Sequence, residues 1–309
     1  MENKIPLITV TGPTAAGKSA AGVSLALAIG GEIVSADSMQ IYKRMDIGTA
    51  KPTMAERNGV PHHLIDIIEP YENFSVADYA KQAHGVIADI HSRGKIPVLV
   101  GGTGLYINSV TRNVDFTEIK KDEDYRAALK SIAQEKGNHF LYNMLKKIDP
   151  PCAAKLHPND IRRVCRALEV YHITGVTMSQ HQKNALKTPE IYNNVKFALY
   201  YERKKLYDII DKRVDNMMHG GLVDEVTALM EDKLENCTSM QGIGYKEIVN
   251  YLCERAEYDE TVDEIKKASR RYAKRQFTFF RADRDIIWME NDGGALEKMS
   301  EILRRKNNG

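Results

Sequence analysis

The segment IPLITVTGPTAAGKS, residues 5–19, decides the fold of this 309-residue chain. Its first part, Ile5–Val10, is a short apolar run that predicts a β-strand. Its second part, Gly12–Ser19, matches the pattern G-x-x-x-x-G-K-[ST], and a helical pattern from Ser19 to Ile29 follows it. A strand before this pattern and a helix after it predict a phosphate-binding loop rather than a simple tight turn.

The loop contains the residue types that hold a di- or triphosphate. Its glycines let backbone N–H groups surround an anion, Lys18 adds a positive charge, and the hydroxyl of Ser19 can bind Mg²⁺. The helix that follows directs the positive end of its dipole at the same place. The predicted phosphate contacts come from Gly12, Pro13, Thr14, Ala15, Ala16, Gly17, Lys18 and Ser19.

Strand and helix patterns alternate along the first third of the chain. Ile33–Ala36, His63–Ile68 and Ile96–Val100 are short apolar segments that predict strands. Between them, Ser75–Ser92 has helical spacing, with a serine at its start and Gly94 as a stop. Strands that alternate with helices indicate parallel β-α-β units.

The middle of the chain changes to a mainly helical pattern. It extends from Asp122 to about Gln182, and Val195–Tyr201 then reads as another strand before long helical patterns. The sequence therefore predicts an α/β fold: a P-loop NTPase-like parallel sheet flanked by helices, formed by residues 1–114 and 195–309. Residues 115–194 are predicted to be an inserted, mainly helical domain.

Composition excludes several classes of protein. The chain is 43% hydrophobic and 28% charged with a net charge of +2, which is ordinary for a globular protein. No apolar run approaches the ~18 residues of a membrane span, and we expect neither membrane association nor a signal peptide. The four cysteines lack zinc-site spacing, which favours reduced thiols in a cytoplasmic protein. Residues 111–195 are the basic part, with 14 basic and 10 acidic side chains.

Two further strand ends carry candidate site residues. Asp37 follows the second strand, and Thr103 lies in the glycine-rich turn Gly101–Gly104 after Ile96–Val100. The carboxyl ends of parallel strands line the ligand crevice of such sheets. Asp37 could therefore bind Mg²⁺, act as a general base, or simply cap a helix. Thr103 adds a hydroxyl, although a close-packed turn would also explain the glycines.

Basic clusters near aromatic residues suggest an RNA-binding surface. Residues 262–284 hold 8 basic and 3 acidic side chains, and the stretch Ser269–Arg281 interleaves them with aromatic residues. Guanidinium groups suit phosphates and aromatic rings suit unstacked bases. The alternative is a solvated helix with Phe277 and Phe280 in the core. A second cluster places Arg162 and Arg166 one helical turn apart.

Taken in order, these motifs resemble the tRNA dimethylallyltransferases (isopentenyl-diphosphate:tRNA transferases) of the bacterial type. The resemblance runs nearly from end to end of the chain. The matching segments are Gly12–Ser19, Asp37–Tyr42, Gly48–Pro52, Pro61–Asp66, Phe74–Tyr79, Gly101–Tyr106, His157–Glu169, Gly244–Glu247 and Ala273–Gln276.

The resemblance implies transfer of a dimethylallyl group from dimethylallyl diphosphate to the exocyclic N6 of the adenosine 3′ of the anticodon in tRNA. It implies that Asp37 is the general base and that Lys18, Ser19, Thr103 and the loop amides hold the diphosphate with Mg²⁺. Arg213 would add positive charge there. Asp37, Thr103 and Lys18 are therefore the predicted catalytic residues.

The resemblance also implies the tRNA contacts. Ser38, Met39 and Gln40 would read the flipped-out base, and the anticodon stem-loop would contact the basic clusters. The full predicted set is Asp37, Ser38, Met39, Gln40, Thr103, Arg126, Arg162, Arg163, Val164, Cys165, Arg166, Gly244, Tyr245 and Lys246. The expected partners are tRNA and dimethylallyl diphosphate, and the protein is expected to be a cytoplasmic monomer.

The sequence departs mildly from the family. Ala16 stands where the family often has Ser, Ser19 where it often has Thr, and Phe279 where it usually has Trp. Two other functions remain open from the residues alone. A small-molecule P-loop kinase could use the middle segment as a lid, and an RNA-binding module could use a nucleotide as a switch. The basic and aromatic segment beyond residue 240 argues against the kinase, and Asp37 argues against the pure binder.

Overall fold

The computed structural model describes residues 4–112, 122–185 and 190–307. The chain divides into a core unit, residues 1–111 and 191–309, and an insertion unit, residues 112–190. The insertion was predicted as residues 115–194, of which 115–121 and 186–189 lie outside the described residues. It ends earlier than predicted because Tyr192 already pairs with Ile5 in the sheet.

The core unit contains a six-stranded parallel sheet, as the alternating pattern predicts. The strand order is β3-β2-β4-β1-β5-β6, so the strand that precedes the phosphate loop lies inside the sheet. The strands are β1 (Ile5–Thr11), β2 (Gly31–Ser35), β3 (His62–His63), β4 (Ile96–Val100), β5 (Tyr192–Tyr200) and β6 (Ile286–Glu290).

Two strands differ most from the sequence prediction. β3 has two residues rather than the expected His63–Ile68, because Leu64 and Asp66 have positive φ angles of 61° and 57° that end the extended conformation. β6 was missed altogether within a region that reads as helical. It pairs with β5, where Lys196 lies opposite Ile286.

Fourteen helices are present in the parts of the chain that the structure describes. The core unit contains α1 (Lys18–Ile29), α2 (Met54–Arg57), α3 (Val76–Ser92), α4 (Gly104–Thr111), α10 (Arg203–His219), α11 (Leu222–Glu231), α12 (Tyr245–Leu252), α13 (Tyr258–Arg281) and α14 (Ala295–Asn307). The insertion unit contains α5 (Glu123–Lys136), α6 (Asn138–Ile148), α7 (Pro150–Ala153), α8 (Ile161–Thr174) and α9 (Met178–Ala185). None of these helices is long and apolar enough to cross a membrane.

Alternate residues of the strands face two separate hydrophobic cores. Leu7 and Leu99 belong to one core, and Ile8 and Val98 belong to the other. Both sides of the sheet are therefore covered, as expected for parallel strands in an α/β fold. Burial on both sides leaves the carboxyl-terminal edge of the sheet as the place for ligands.

Helix α3 supports the strand end that carries Asp37. The Ser75 side chain caps the helix, as expected for the serine at its start, and forms a reciprocal capping box with Asp78. Inside the core, the Tyr79 ring stacks on Tyr106 with centroids 3.8 Å apart, and its hydroxyl donates to the Ser35 carbonyl at 2.9 Å. The last residue of β2 is thus fixed by a buried hydrogen bond.

The insertion unit has a hydrophobic core of its own. Leu129, Leu141, Leu145 and Leu168 are almost fully buried and belong to one apolar cluster. They come from α5, α6 and α8, whose apolar residues recur at helical spacing. The predicted mainly helical character of this segment agrees with these elements.

Candidate active site

The loop Gly12–Ser19 adopts a conformation that requires its glycines. Gly12 and Gly17 have φ angles of 134° and 83°, which side chains with a Cβ rarely adopt. A Cβ at Gly12 would lie 2.2 Å from the Leu199 carbonyl oxygen, and one at Gly17 would lie 2.3 Å from Asn291 Nδ2. Helix α1 begins directly after this turn, so the strand–loop–helix context of a phosphate site is present.

Three charged side chains from distant parts of the chain line one cleft beside this loop. They are Lys18, Asp37 and Arg213, and the exposed Ser19 lies in the same cleft. Burial and repulsion by Arg213 lower the pKa of Lys18 to about 8, while Asp37 partly opposes this shift. Burial also lowers the pKa of Arg213, again against the effect of Asp37. An anionic ligand would relieve this repulsion between two cations.

Asp37 is held in a turn, which removes the helix-cap interpretation. Its Oδ1 accepts a hydrogen bond from the Met39 N–H at 2.9 Å, and the segment that follows is a series of turns rather than a helix. The carboxylate thus keeps a fixed orientation two residues beyond the end of β2. It lies in the cleft as a candidate general base.

Thr103 joins the ends of β2 and β4. Its N–H donates to the Ala36 carbonyl at 3.1 Å, and its Oγ1 accepts from the Ser38 N–H at 3.0 Å and donates to Ser38 Oγ at 3.2 Å. The residues on either side of Asp37 are therefore both bonded to Thr103. The hydroxyl of Ser38 is engaged in this bond, and Asp37 and Gln40 of this turn line the cleft.

Gln276 is a site residue that the sequence analysis missed. Its Oε1 accepts from the Thr14 N–H at 2.7 Å, and its Nε2 donates to the Gly102 carbonyl at 2.8 Å. One buried side chain of α13 thereby joins the phosphate loop to the turn after β4. The signal that could have identified Gln276 is its position on the same face of the helix as Ala273 and Phe280, both of which are buried.

Helix α13 also places aromatic side chains at the site. Burial and the Asp37 carboxylate raise the pKa of Tyr272 to about 12, and hydrogen bonds with Thr103 and Gln276 partly offset this shift. The Phe279 ring lies against Gly104, where a Cβ would come within 2.2 Å of it, and is 42% exposed. Phe280 is buried in the core, whereas Phe277 is only half-buried and lies 4.8 Å from the Trp288 ring.

The predicted tRNA-contacting segment Gly244–Lys246 contains one buried and one exposed side chain. The Tyr245 side chain is 1% exposed, and its hydroxyl donates to Glu225 at 2.6 Å. It is therefore part of the core rather than an exposed side chain. Lys246 is half-exposed and forms an ion pair with Glu247 at 3.4 Å, so it is the charged side chain that this segment presents.

The basic cluster of the insertion unit likewise contains both exposed and buried side chains. Arg162 and Arg163 are exposed, whereas Val164 and Cys165 are buried in the hydrophobic core of the unit. The side chains of these two buried residues, which were predicted to contact tRNA, are thus packed inside. Arg166 is half-buried and pairs with Glu169, whereas Arg163 pairs with Asp160.

Arg126 and Arg166 both bind the fully buried carboxylate of Glu169. Arg126 Nε lies 2.8 Å from Glu169 Oε1, Arg166 donates to Oε2 at 2.6 Å, and the Asp122 N–H donates to Oε1 at 2.9 Å. Burial would raise the pKa of Glu169, but the hydrogen bonds from both arginines and from Asp122 lower it overall. One buried carboxylate therefore fixes the positions of both guanidinium groups.

The oxygen atoms that line the cleft suit a hard divalent cation that also binds the phosphates of a ligand. The Ser19 hydroxyl and the Asp37 carboxylate line the same cleft, and Mg²⁺ prefers such oxygen ligands. Within residues 4–112, 122–185 and 190–307, no group of three or more His, Cys, Asp or Glu side chains could hold a metal ion.

Comparison with known proteins agrees with this geometry. The family model described as IPP transferase matches residues 40–283. A tRNA dimethylallyltransferase of Halothermothrix orenii is 50% identical over 300 residues, covering 97% of this chain and 92% of the relative. One of Bacillus licheniformis is 50% identical over 289 residues, covering 94% of this chain and 92% of that one.

Solved structures agree with the sequence matches. A tRNA isopentenylpyrophosphate transferase of Bacillus halodurans is 44% identical with a TM-score of 0.74, covering 98% of this chain and 97% of that one. A eukaryotic dimethylallyltransferase described as acting on tRNA is 31% identical with a TM-score of 0.78, covering 93% of this chain and 74% of that one. The family model matches most of the chain, and relatives with 50% identity cover nearly its whole length. The chain therefore belongs to the IPP transferase family of tRNA dimethylallyltransferases.

Proposed function

We propose that this protein transfers a dimethylallyl group from dimethylallyl diphosphate to the exocyclic N6 of the adenosine 3′ of the anticodon in tRNA. The products are N6-isopentenyladenosine and diphosphate. The observation that carries the proposal is the convergence of Lys18, Arg213 and Asp37 in one cleft beside the phosphate loop. This arrangement combines an anion site with a general base, which is what transfer from a diphosphate to an amine needs.

The diphosphate binds at the phosphate loop. The N–H groups at the start of α1, the ammonium group of Lys18 and the guanidinium group of Arg213 surround its oxygens. The Ser19 hydroxyl would hold a Mg²⁺ ion, which would neutralise charge on the diphosphate. Because negative charge grows on the leaving oxygen as the C–O bond breaks, these groups bind the transition state more tightly than the substrate.

The acceptor adenosine lies on the Asp37 side of the cleft. Its N6 forms the new C–N bond while the C–O bond to the diphosphate breaks, and Asp37 takes the proton that N6 loses. An exocyclic amine is a weak nucleophile, so a carboxylate fixed within reach of it accelerates the reaction. Thr103 positions Asp37 through the backbone on either side of it.

The tRNA is held by exposed cations and one exposed ring. In the insertion unit these are Arg162 and Arg163, together with the outer parts of Arg126 and Arg166. In the core unit these groups include Lys246 and Phe279, and the exposed Phe279 ring can stack on an unpaired base. An anticodon loop suits such groups because its bases unstack at low cost.

The relatives favour prenyl transfer over the small-molecule kinase, since they are named tRNA dimethylallyltransferase or tRNA isopentenylpyrophosphate transferase. We also propose that the protein acts as a monomer in the cytoplasm.

A label-transfer assay tests the proposal. The protein is mixed with Mg²⁺, isotopically labelled dimethylallyl diphosphate and unmodified tRNA with adenosine 3′ of the anticodon, and the digested tRNA is analysed. We expect label on N6 of that adenosine. Transfer of phosphate from ATP to a small acceptor, with no label in the tRNA, would instead support the kinase.

A further inference from the structure

The segment Asp46–Lys51 forms one wall of the cleft that holds Asp37. Thr49 and Ala50 of this wall segment line the cleft. Ala50 has a φ angle of 45°, which residues with a Cβ adopt rarely. A wall with such a backbone keeps its shape only when other contacts hold it.

Glu225 of α11 supplies contacts that hold the wall segment. Its Oε2 accepts from the N–H groups of Asp46 and Ile47, both at 2.8 Å, and its Oε1 accepts from the Gly48 N–H at 3.1 Å. One carboxylate therefore binds three consecutive backbone N–H groups. Bonds to a charged acceptor are the stronger kind, and here they fix a turn that lies far from α11 in sequence.

Tyr245 completes the support behind Glu225. Its hydroxyl donates to Oε1 of Glu225 at 2.6 Å, and its ring lies against Gly48. A Cβ at Gly48 would come within 2.5 Å of this ring, so the wall segment approaches it as closely as glycine allows. Glu225, Tyr245 and the wall segment form one packed unit.

The wall segment in turn orients Gln40. The Nε2 group of Gln40 donates to the carbonyl oxygens of Thr49 and Ala50 at 3.2 and 3.3 Å. The amide nitrogen is thereby directed to the wall, which fixes the orientation of the whole amide. Gln40 lines the same cleft as Asp37, three residues away along the chain.

We propose that Glu225 is a positioning residue for the acceptor adenosine: it holds the wall segment, and the wall segment holds the Gln40 amide at the base-reading side of the cleft. Glu225, with Tyr245 supporting it, acts through the wall segment rather than by contact with substrate. The inference rests on the proposed transfer reaction. It assigns Glu225 to the side of the cleft that binds the acceptor adenosine, and not to the side that binds the diphosphate.

The test compares Glu225→Gln and Tyr245→Phe with the matched control Glu231→Gln, an exposed carboxyl group on the same helix. Steady-state transfer is measured with an anticodon stem-loop and with dimethylallyl diphosphate varied separately. We expect the KM for the stem-loop to rise about tenfold in Glu225→Gln and about threefold in Tyr245→Phe. The KM for dimethylallyl diphosphate should stay within about twofold of the unmutated protein, and the control should match it.

Amide hydrogen exchange measures directly whether Glu225 holds the wall segment. Amide exchange at residues 46–48 should become faster in Glu225→Gln and remain unchanged in Glu231→Gln. An unchanged stem-loop KM in Glu225→Gln would overturn the inference, as would a parallel rise of both KM values with a lower melting temperature. If the unmutated protein transfers no label, the proposed function fails, and unchanged amide exchange would show separately that Glu225 does not hold the wall.

Discussion

The cleft of the core unit and the arginine pair of the insertion unit both contain one carboxylate and two basic groups, yet they use them differently. In the insertion unit, Glu169 is fully buried and bound directly by Arg126 and Arg166. In the cleft, Asp37 instead accepts from a backbone N–H, and Lys18 donates to the Pro13 carbonyl at 2.7 Å. The charges of the insertion unit stabilise each other, whereas those of the cleft are arranged for a ligand.

This contrast separates a stabilising acid from a reactive one. A buried acid that is paired with two guanidinium groups is costly to remove, because the arginines then lose their partner. A carboxylate in an open cleft contributes little to folding and can be changed with small effects on stability. The same residue types thus lead to opposite expectations for stability and activity.

The largest expected effect is that of Asp37→Asn on the chemical step. The amide keeps the shape of the side chain but cannot take a proton, so single-turnover transfer should slow by about a thousandfold. Binding of the stem-loop should remain within a few-fold and the melting temperature within about 2 °C of the unmutated protein. A transfer rate close to that of the unmutated protein would show that Asp37 is not the base.

Glu169→Gln is the matched change in the insertion unit, and it should lower stability rather than chemistry. Loss of the buried charge should cost about 3 kcal/mol in the free energy of unfolding, measured by urea denaturation. The single-turnover rate at saturating tRNA should change far less than in Asp37→Asn. If Glu169→Gln and Asp37→Asn destabilise the protein equally, the contrast between the two sites is wrong.

A smaller effect is expected from pH on the diphosphate side of the cleft. The lowered pKa of Lys18, about 8, means that the free protein loses this charge as the pH rises through that value. A diphosphate binds the protonated form, so its affinity should be full below pH 8 and fall about tenfold per pH unit above it. Calorimetry with inorganic diphosphate measures this decrease.

Lys18→Arg is the control for the pH effect, since a guanidinium group stays charged over the whole range. Its diphosphate affinity should vary less with pH than that of the unmutated protein. The same pH dependence in both proteins would assign the titration to the ligand or to another group.

The smallest expected effect is that of Phe279→Trp, which restores the ring usual in the family. The ring is 42% exposed beside Gly104, so a larger ring can be accommodated toward solvent. We expect the KM for the stem-loop to fall about two- to threefold, because a larger ring stacks better on a base. A higher KM would place Phe279 away from the RNA.

The sequence by itself determined the features that depend on neighbouring residues. The strand, the glycine-rich turn and the helix of Ile5–Ile29 follow from local backbone preferences, and the capping box of α3 from side chains three residues apart. The parallel sheet follows from the alternation of such elements, and it is confirmed by the strand pairing. The short strand β6 was missed because its five residues lie between polar segments beside long helices.

Only the tertiary structure decided which side chains support the cleft and which are buried. Gln276 reaches the phosphate loop across 262 residues of sequence, and Glu225 reaches the wall segment across 177 to 179. Tyr245, Val164 and Cys165 stand in motifs that suggest contact with tRNA, yet their side chains are packed in the cores. Such outcomes depend on packing between elements distant in sequence, and local residue patterns carry no record of that packing.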